Sequence, residues 1–118
     1  MSYVKIATVV KRLHDKTSRG DVRWEQTAKE GIYRAAFPGY SVLILPRDAP
    51  EGAVDYVVQI FDEEGALLEE VADPDLNDFL TDPFKLMRTI YETARRSALG
   101  VEQALDRILG ALGDERPS

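Results

Sequence analysis

His14, the single histidine of the chain, is the first residue whose side chain could do acid–base chemistry. A histidine that acts as a general base needs an orienting carboxylate and a nucleophile within hydrogen-bonding distance. The neighbouring Asp15 is predicted to point about 100° away from His14 on a helix. The sequence contains no HExxH pair and no GxSxG elbow. We therefore interpret His14 as a residue at the edge of the core or in solvent.

The acidic segment DPDLNDFLTDPF has the spacing of oxygen ligands in a calcium-binding loop. Asp73, Asp75 and Asn77 fill the first, third and fifth positions of an EF-hand-like loop. The sixth position, which needs a glycine, is Asp78, and the twelfth, which needs a bidentate glutamate, is Phe84. We reject EF-hand function and predict a solvated loop that caps the following helix.

Other catalytic and cofactor-binding patterns are missing from the sequence. The chain has no cysteine, which excludes disulfides, thiolate catalysis and cysteine-ligated zinc. Its isolated glycines form neither a GxGxxG motif nor a P-loop. Acidic pairs such as Glu63 and Glu64 lie in or beside a predicted hairpin, where charge keeps a sheet edge soluble. The sequence thus predicts no enzyme, no cofactor and no metal site.

Four aromatic residues on predicted strands are candidates for a ligand pocket: Trp24, Tyr33, Tyr40 and Tyr56. Aromatic side chains on a sheet can stack on bases or on a flat ligand. The RNP pattern with its basic neighbours is missing, so a place in the core is the simpler interpretation. The alternative is a ligand-binding half-barrel in which these four residues line a pocket between the sheet and the helices.

Three arginines near the C-terminus are candidates for partner recognition. Arg88 and Arg95 share a stripe on a predicted helix, whereas Arg96 lies about 100° from Arg95. Glu92 is four residues from both Arg88 and Arg96 and within reach of either. We expect Arg88 and Arg95 to contact the acidic region 62–82 and Arg96 to face water. In the alternative interpretation, the stripe binds a protein partner.

Charge is unevenly distributed along the 118 residues, whose formal net charge is −6. Residues 1–40 carry eight basic and four acidic side chains, residues 41–82 carry one and twelve, and residues 83–118 carry six and five. A negative net charge argues against general nucleic-acid binding, because phosphates require a basic surface. A chain divided in this way can pair its charges within its own fold or present one pole to a partner.

Composition is that of a soluble globular protein, with 44% hydrophobic and 31% charged residues. No apolar run approaches the roughly 20 residues that span a bilayer. The N-terminal segment lacks the features of a secretory signal. We predict a single domain over residues 1–113, a frayed tail over 114–118, and a cytoplasmic protein that does not enter a membrane.

Hydrophobic periodicity predicts a helix followed by five strands. Apolar side chains recur every three or four residues from Ser2, the predicted N-cap, to about Ser18. The period then changes to two, which predicts strands at 22–28, 32–37, 40–45, 53–61 and 66–71. Short connections leave no room for parallel crossovers, so we expect an antiparallel meander.

Two C-terminal helices complete the predicted fold. Asp82 as N-cap and Pro83 at the first helical position begin one of them, Gly100 ends it, and the other covers 101–112. The predicted class is α+β, in which a curved five-stranded antiparallel sheet carries an N-terminal helix and both C-terminal helices. Three apolar helix faces compete for one sheet face. Either the helices also pack on each other, or the face of the last helix is left for a second chain.

Several segments resemble a group of small uncharacterised bacterial proteins. They are residues 16–24, YSV at 40–42, the acidic hairpin ending in Gly65, and YETARRSALGVEQALD at 91–106. The similarity extends over nearly the whole chain, and its most specific part is the YExARR run. It implies a bacterial, cytoplasmic, single-domain protein and carries no activity, cofactor or catalytic residue.

The leading hypothesis from the sequence is a non-enzymatic protein-interaction module. It would be a small acidic adaptor, chaperone-like or regulatory protein with an unidentified protein partner or as a homodimer, and Arg88, Arg95 and Arg96 are its predicted partner-binding residues. The alternative hypothesis is the ligand-binding half-barrel.

Overall fold

The computed structural model describes residues 3–113, which form three α-helices and one five-stranded sheet. The helices and strands in chain order are α1 (Val4–Ser18), β1 (Trp24–Gln26), β2 (Tyr33–Phe37), β3 (Tyr40–Asp48), β4 (Val54–Asp62), β5 (Leu67–Ala72), α2 (Pro83–Ala98) and α3 (Val101–Ala111). The predicted α+β class and order of elements are confirmed. The predicted N-cap Ser2 and the predicted tail 114–118 lie outside the described residues. None of the helices within 3–113 combines the length and apolar character that a bilayer-spanning segment requires.

The strands form an antiparallel meander in the order β1-β2-β3-β4-β5. The turn between β2 and β3 is Pro38-Gly39, in which Gly39 has a φ of 78° that side chains with a Cβ avoid. The sheet is open and uncurled, so the predicted curvature is wrong. Strong curvature requires repeated bulges or glycine kinks, and the described ladders show one register shift, between Ile60 and Phe61.

Strand β3 is longer than predicted and continues through Pro46 to Asp48. Its pairing with β2 ends at Ile44, whereas its pairing with β4 continues to Asp48. Beyond Ile44 one side of β3 is therefore an open edge, where a proline that lacks an N–H group is tolerated.

The hydrophobic core lies between one face of the sheet and the two helices α1 and α2. From α1 it takes Ile6, Ala7, Val10 and Leu13, and from α2 it takes Met87, Ile90 and Ala94. The inward-facing strand residues of the core are Trp24, Tyr33, Ala35, Val42, Ile44, Val58 and Val71. Their alternation along each strand is the period of two that the sequence shows.

Hydrogen bonds join the helices to β1 and to the β1–β2 connection, among them the 3.4 Å bond from Gln26 Nε2 to the backbone oxygen of Ala98. Trp24 Nε1 donates to Thr17 Oγ1 of α1 over 3.2 Å, and both residues are buried. Tyr91 Oη of α2 donates to the backbone oxygen of Gly31 over 2.9 Å. Within residues 3–113 no buried side-chain polar atom lacks a hydrogen-bond partner.

The junction between α2 and α3 separates a buried helix from an exposed one. Gly100, with a φ of 65°, turns the chain between them. Helix α2 contributes buried residues to the core, whereas α3 buries none of its residues. Of the two C-terminal helices, only α2 packs on the sheet as predicted. Helix α3 leaves its apolar face uncovered, which was the alternative prediction for the last helix. The radius of gyration is 16.6 Å, above the roughly 13–14 Å of a compact chain of this length.

Candidate protein-interaction site

Four large apolar side chains, three of α3 and that of its C-cap Leu112, are exposed along one face of the helix. Leu105, Ile108, Leu109 and Leu112 are 45%, 53%, 64% and 69% exposed, and we call them the α3 stripe. They occupy positions i, i+3, i+4 and i+7, the spacing with which an amphipathic helix enters a groove. A contiguous exposed apolar face of this kind marks an interaction surface.

Charged residues border the α3 stripe on one side. Glu102 and Asp106 lie there one turn apart, whereas Arg107 lies with Gln103 on the polar face of the helix. The Glu102 carboxylate accepts a hydrogen bond from Arg96 Nη2 over 2.6 Å. Asp106 makes no ion pair within residues 3–113, so its charge is available to a partner.

A second apolar surface lies between α1 and the end of the sheet at the β2–β3 turn. The core-facing side of the sheet extends beyond the helices there, and it leaves Phe37 and Tyr40 exposed. The resulting groove, which we call the α1 groove, has a volume of about 340 Å³. Its apolar lining is Val9, Leu13, Val22, Phe37, Tyr40, Val42 and Ile60.

The charged side chains of the α1 groove lie on its helix side. Arg12 and Lys16 lie one turn apart on α1 at its rim, and neither makes an ion pair within residues 3–113. The groove is thus apolar in its interior and basic along α1.

His14 and Asp15 contact each other, contrary to the expectation that they point apart. His14 Nδ1 lies 3.0 Å from Asp15 Oδ1, and Lys11 Nζ lies 3.1 Å from the same oxygen. Free rotation of the side chains brings the two neighbours together although their Cβ atoms diverge. The hydrogen bonds from His14 and then from Lys11 lower the pKa of Asp15. Neither His14 nor Asp15 hydrogen-bonds a hydroxyl group in residues 3–113, so the pair is not part of a catalytic triad there.

Two carboxylates of the segment 73–84, whose spacing resembles a calcium-binding loop, accept hydrogen bonds from backbone N–H groups. Asp73 Oδ1 accepts a hydrogen bond from Tyr56 N over 2.7 Å, and Asp75 Oδ2 accepts one from Ala72 N over 2.9 Å. Asp73 is only 5% exposed, so the predicted solvated loop is wrong at this residue. Burial raises the pKa of Asp73. Within residues 3–113 no group of three or more histidine, cysteine, aspartate or glutamate side chains could hold a metal ion.

The predicted N-cap of α2 is confirmed. Asp82 Oδ1 accepts a hydrogen bond from Lys85 N over 3.2 Å, and Pro83 occupies the first turn. Asp82 takes a left-handed conformation with a φ of 48°, which aspartate tolerates better than most residues.

The four aromatic candidates do not line one pocket. Trp24 and Tyr33 are only 3% and 5% exposed, and they fill the core. The rings of Tyr33 and Tyr56 lie 5.5 Å and 5.4 Å from that of Tyr91. Tyr40 lies at the other end of β2 and β3, in the α1 groove, roughly 13 Å along the strand from Tyr33. The half-barrel shape is wrong, because the sheet is open and uncurled, whereas the binding of a small ligand by these aromatic residues stays a prediction.

None of the three candidate arginines makes an ion pair with the acidic region 62–82 within residues 3–113. Arg88 Nε is 3.5 Å from Glu92 Oε1, and Arg96 pairs with Glu102 of α3. Arg95 lies in a cleft with the β1–β2 connection. The expected contact of Arg88 and Arg95 with region 62–82 is not formed as an ion pair within residues 3–113, because Arg88 pairs with a glutamate of its own helix and Arg95 faces the β1–β2 connection.

Arg47 is the arginine that pairs with the acidic region, and the sequence analysis missed it. Its Nη2 atom donates to Glu70 Oε1 over 2.7 Å, and Gln59 Nε2 donates to the same oxygen over 2.7 Å. The hydrogen bonds from Gln59 and then from Arg47 lower the pKa of Glu70. The three residues lie on β3, β4 and β5, so only the strand register could have indicated this contact.

Comparisons with models of known protein families, with curated proteins and with solved structures gave no match to this chain. The resemblance to small bacterial proteins stays a prediction, and so does the cytoplasmic location. Function is therefore argued from the α3 stripe and the α1 groove.

Proposed function

We propose that this protein is a non-enzymatic interaction module, an adaptor or regulatory protein that binds a polypeptide partner with the α3 stripe. The observation that carries the proposal is the exposure of Leu105, Ile108, Leu109 and Leu112 on a helix that buries none of its residues. An apolar helix face of this kind is normally covered in a folded protein, by its own core or by a partner.

The size of the stripe sets what the partner must supply. An apolar arc of about 160° on a helix roughly 16 Å long and about 11 Å wide covers about 250 Å². Burial at about 25 cal/mol per Å² contributes about 6 kcal/mol. Association itself costs about 4–15 kcal/mol, so the stripe needs a partner surface that is also apolar and of similar size.

The charges beside the stripe define the partner further. Glu102 and Asp106 favour a partner whose groove has basic side chains along one wall. Complementary charge of this kind speeds association and selects orientation more than it adds affinity. Arg96 borders this surface through its ion pair with Glu102. Roles for Arg88 and Arg95 in partner binding stay predictions.

Location and origin belong to the same proposal. The resemblance to small bacterial proteins supports a bacterial, cytoplasmic protein, and the net charge of −6 supports a partner other than nucleic acid.

Site-specific photocrosslinking in the native host tests the proposal. A photoreactive amino acid replaces Leu109 in the stripe or, as a matched control, Gln103 on the polar face of the same helix. We expect one adduct of defined mass from position 109 and none from position 103, because only the stripe is covered by the partner. The absence of adducts, or the same adducts from both positions, would contradict the proposal.

A further inference from the structure

We infer that the partner of the α3 stripe is a second copy of this chain, and that its α1 groove receives the stripe. Two copies exchange their α3 helices reciprocally and form a closed dimer. This inference deepens the proposed function and rests on it, because it names the groove that the stripe enters.

Matching spacing of opposite charges is the first argument. Glu102 and Asp106 lie four residues apart beside the stripe, and Arg12 and Lys16 lie four residues apart beside the groove. Each pair spans about 6 Å along its helix. An α3 helix lying alongside α1 therefore sets two carboxylates against two basic groups. Of these four side chains, only Glu102 has an ion pair within residues 3–113, with Arg96.

The same charges fix the direction of α3 in the groove. With Glu102 and Asp106 beside α1, their carboxylates face Arg12 and Lys16, whereas Arg107 lies on the polar face of α3 and points away from the groove. Reversing the helix in the groove would exchange its two sides and move both carboxylates away from Arg12 and Lys16. The charges thus select one direction of α3 in the groove.

The area that is buried distinguishes exchange from simpler pairings. Two α3 stripes packed on each other cover about 500 Å², twice the roughly 250 Å² of one stripe. Reciprocal exchange covers two stripes and two grooves, about 1,000 Å², which is the threshold of a specific interface at about 1,000 Å².

Reciprocity follows from symmetry. If one stripe enters one groove, each pair of copies still has a free stripe and a free groove, and further copies would add to form larger rings or open filaments. Exchange in both directions uses both surfaces of both copies and closes the assembly at two.

Molar mass in solution tests the inference. Light scattering or sedimentation of the wild type is compared with Leu109→Glu in the stripe and Val9→Glu in the groove, and Gln103→Glu serves as the matched control. All three positions are exposed, so the variants are expected to fold, which circular dichroism checks. We expect twice the 13.2 kDa chain mass for the wild type and for Gln103→Glu, and monomers for the other two variants.

Each other outcome overturns the inference. A wild type that is monomeric at every concentration excludes a second copy as partner. A dimer that survives Val9→Glu but not Leu109→Glu indicates pairing of the α3 helices without the groove. Species that grow with concentration beyond two copies exclude closed exchange.

A charge exchange tests the direction of the helix. Lys16→Glu and Asp106→Lys are each expected to weaken dimerisation about tenfold, and their combination is expected to recover most of the affinity, because the new pair restores the opposite charges. Losses that simply add in the double variant would contradict the docked arrangement.

Failure of this inference is distinguishable from failure of the proposed function. A purified protein that stays monomeric, together with an adduct from position 109 to a different protein in the host, contradicts self-association but supports the interaction module. A monomer without any adduct removes both.

Discussion

The helices α2 and α3 are neighbours in the chain and are both amphipathic, yet they end in opposite environments. Helix α2 places Met87, Ile90 and Ala94 in the core at 0% exposure. Helix α3, one residue beyond Gly100, keeps Leu109 and Leu112 more than 60% exposed. An apolar face therefore indicates that a helix will be covered, but the pattern does not specify whether its own chain or a partner covers it.

The difference begins at the sheet, which has one apolar face of limited area. Helices α1 and α2 cover most of that face, and the part they leave free forms the α1 groove near Phe37 and Tyr40. Helix α3 does not cover this free part in its own chain, because the chain turns at Gly100 and α3 buries none of its residues. The uncovered helix face and the uncovered sheet face thus arise from the same arrangement of the core.

The largest expected effect contrasts one core residue with one stripe residue. Ile90→Ala is expected to lower the free energy of unfolding by about 2–5 kcal/mol, because it leaves a cavity in a packed interior. Leu109→Ala is expected to change the stability of the monomer by less than about 0.5 kcal/mol. Urea unfolding at protein concentrations low enough to populate monomers gives both values. Similar losses in the two variants would mean that α3 belongs to the core.

The next prediction concerns the buried hydrogen bond between α1 and β1. Thr17→Val keeps the shape of the side chain but removes the acceptor of Trp24 Nε1. An unsatisfied buried donor costs about 1–3 kcal/mol, and this loss is expected at any protein concentration because the pair lies inside one copy. Unfolding followed by the fluorescence of Trp24 measures it. A loss that appears only in the dimer would place the pair at the interface instead.

Two glycines of the α3 region provide a prediction with its own control. Gly100→Ala is expected to destabilise by about 1–2 kcal/mol, because its φ of 65° is unfavourable for a residue with a Cβ. Gly110→Ala is expected to stabilise α3 by about 0.5–1 kcal/mol, because this glycine lies inside the helix and a Cβ there meets no atom within 4 Å. Thermal unfolding of both variants checks the signs. Two changes of the same sign would contradict the described junction.

The smallest expected effect is a pH dependence at the edge of the core. Burial raises the pKa of Asp73 above its ordinary value of 3.8, so the folded state binds a proton more readily than the unfolded state. The contribution of Asp73 to stability therefore increases as the pH falls through the raised pKa towards 3.8. The stability of the wild type relative to Asp73→Asn is expected to rise over that interval.

Urea unfolding of wild type and Asp73→Asn between pH 7 and the acid range provides the comparison. Asp15 and Glu70, whose pKa values are lowered, lose stabilising interactions as the pH falls, but both are present in the two proteins and cancel in the difference. A difference that stays constant with pH, or that falls on acidification, would contradict the burial of an ionised Asp73.

Much of the fold could be predicted from the sequence, because its signals are local. The period of two and the Pro38-Gly39 turn located the strands, and Asp82 with Pro83 located the start of α2. The extension of β3 through Pro46 depends on where β2 ends, which is a tertiary property. The absence of curvature likewise depends on the whole sheet and not on one strand.

The candidate site was predictable only in part. The exposed stripe follows from helical spacing within 101–112, which the sequence displays directly. The α1 groove joins α1 to Phe37, Tyr40 and Ile60, which are distant in sequence. The ion pair of Arg47 with Glu70 spans 23 residues and depends on strand register. Local patterns therefore indicated which surface is apolar but not which surface is complementary to it.

Hydrogen exchange of the purified chain at several concentrations tests the central claim most directly. The account predicts that the amides of α2 are protected at every concentration, whereas those of α3 become protected only as dimers form, together with the α1 segment around Val9. Protection of α3 equal to that of α2 in the most dilute sample would contradict the account, because it would show that the apolar face of α3 is already covered within one chain.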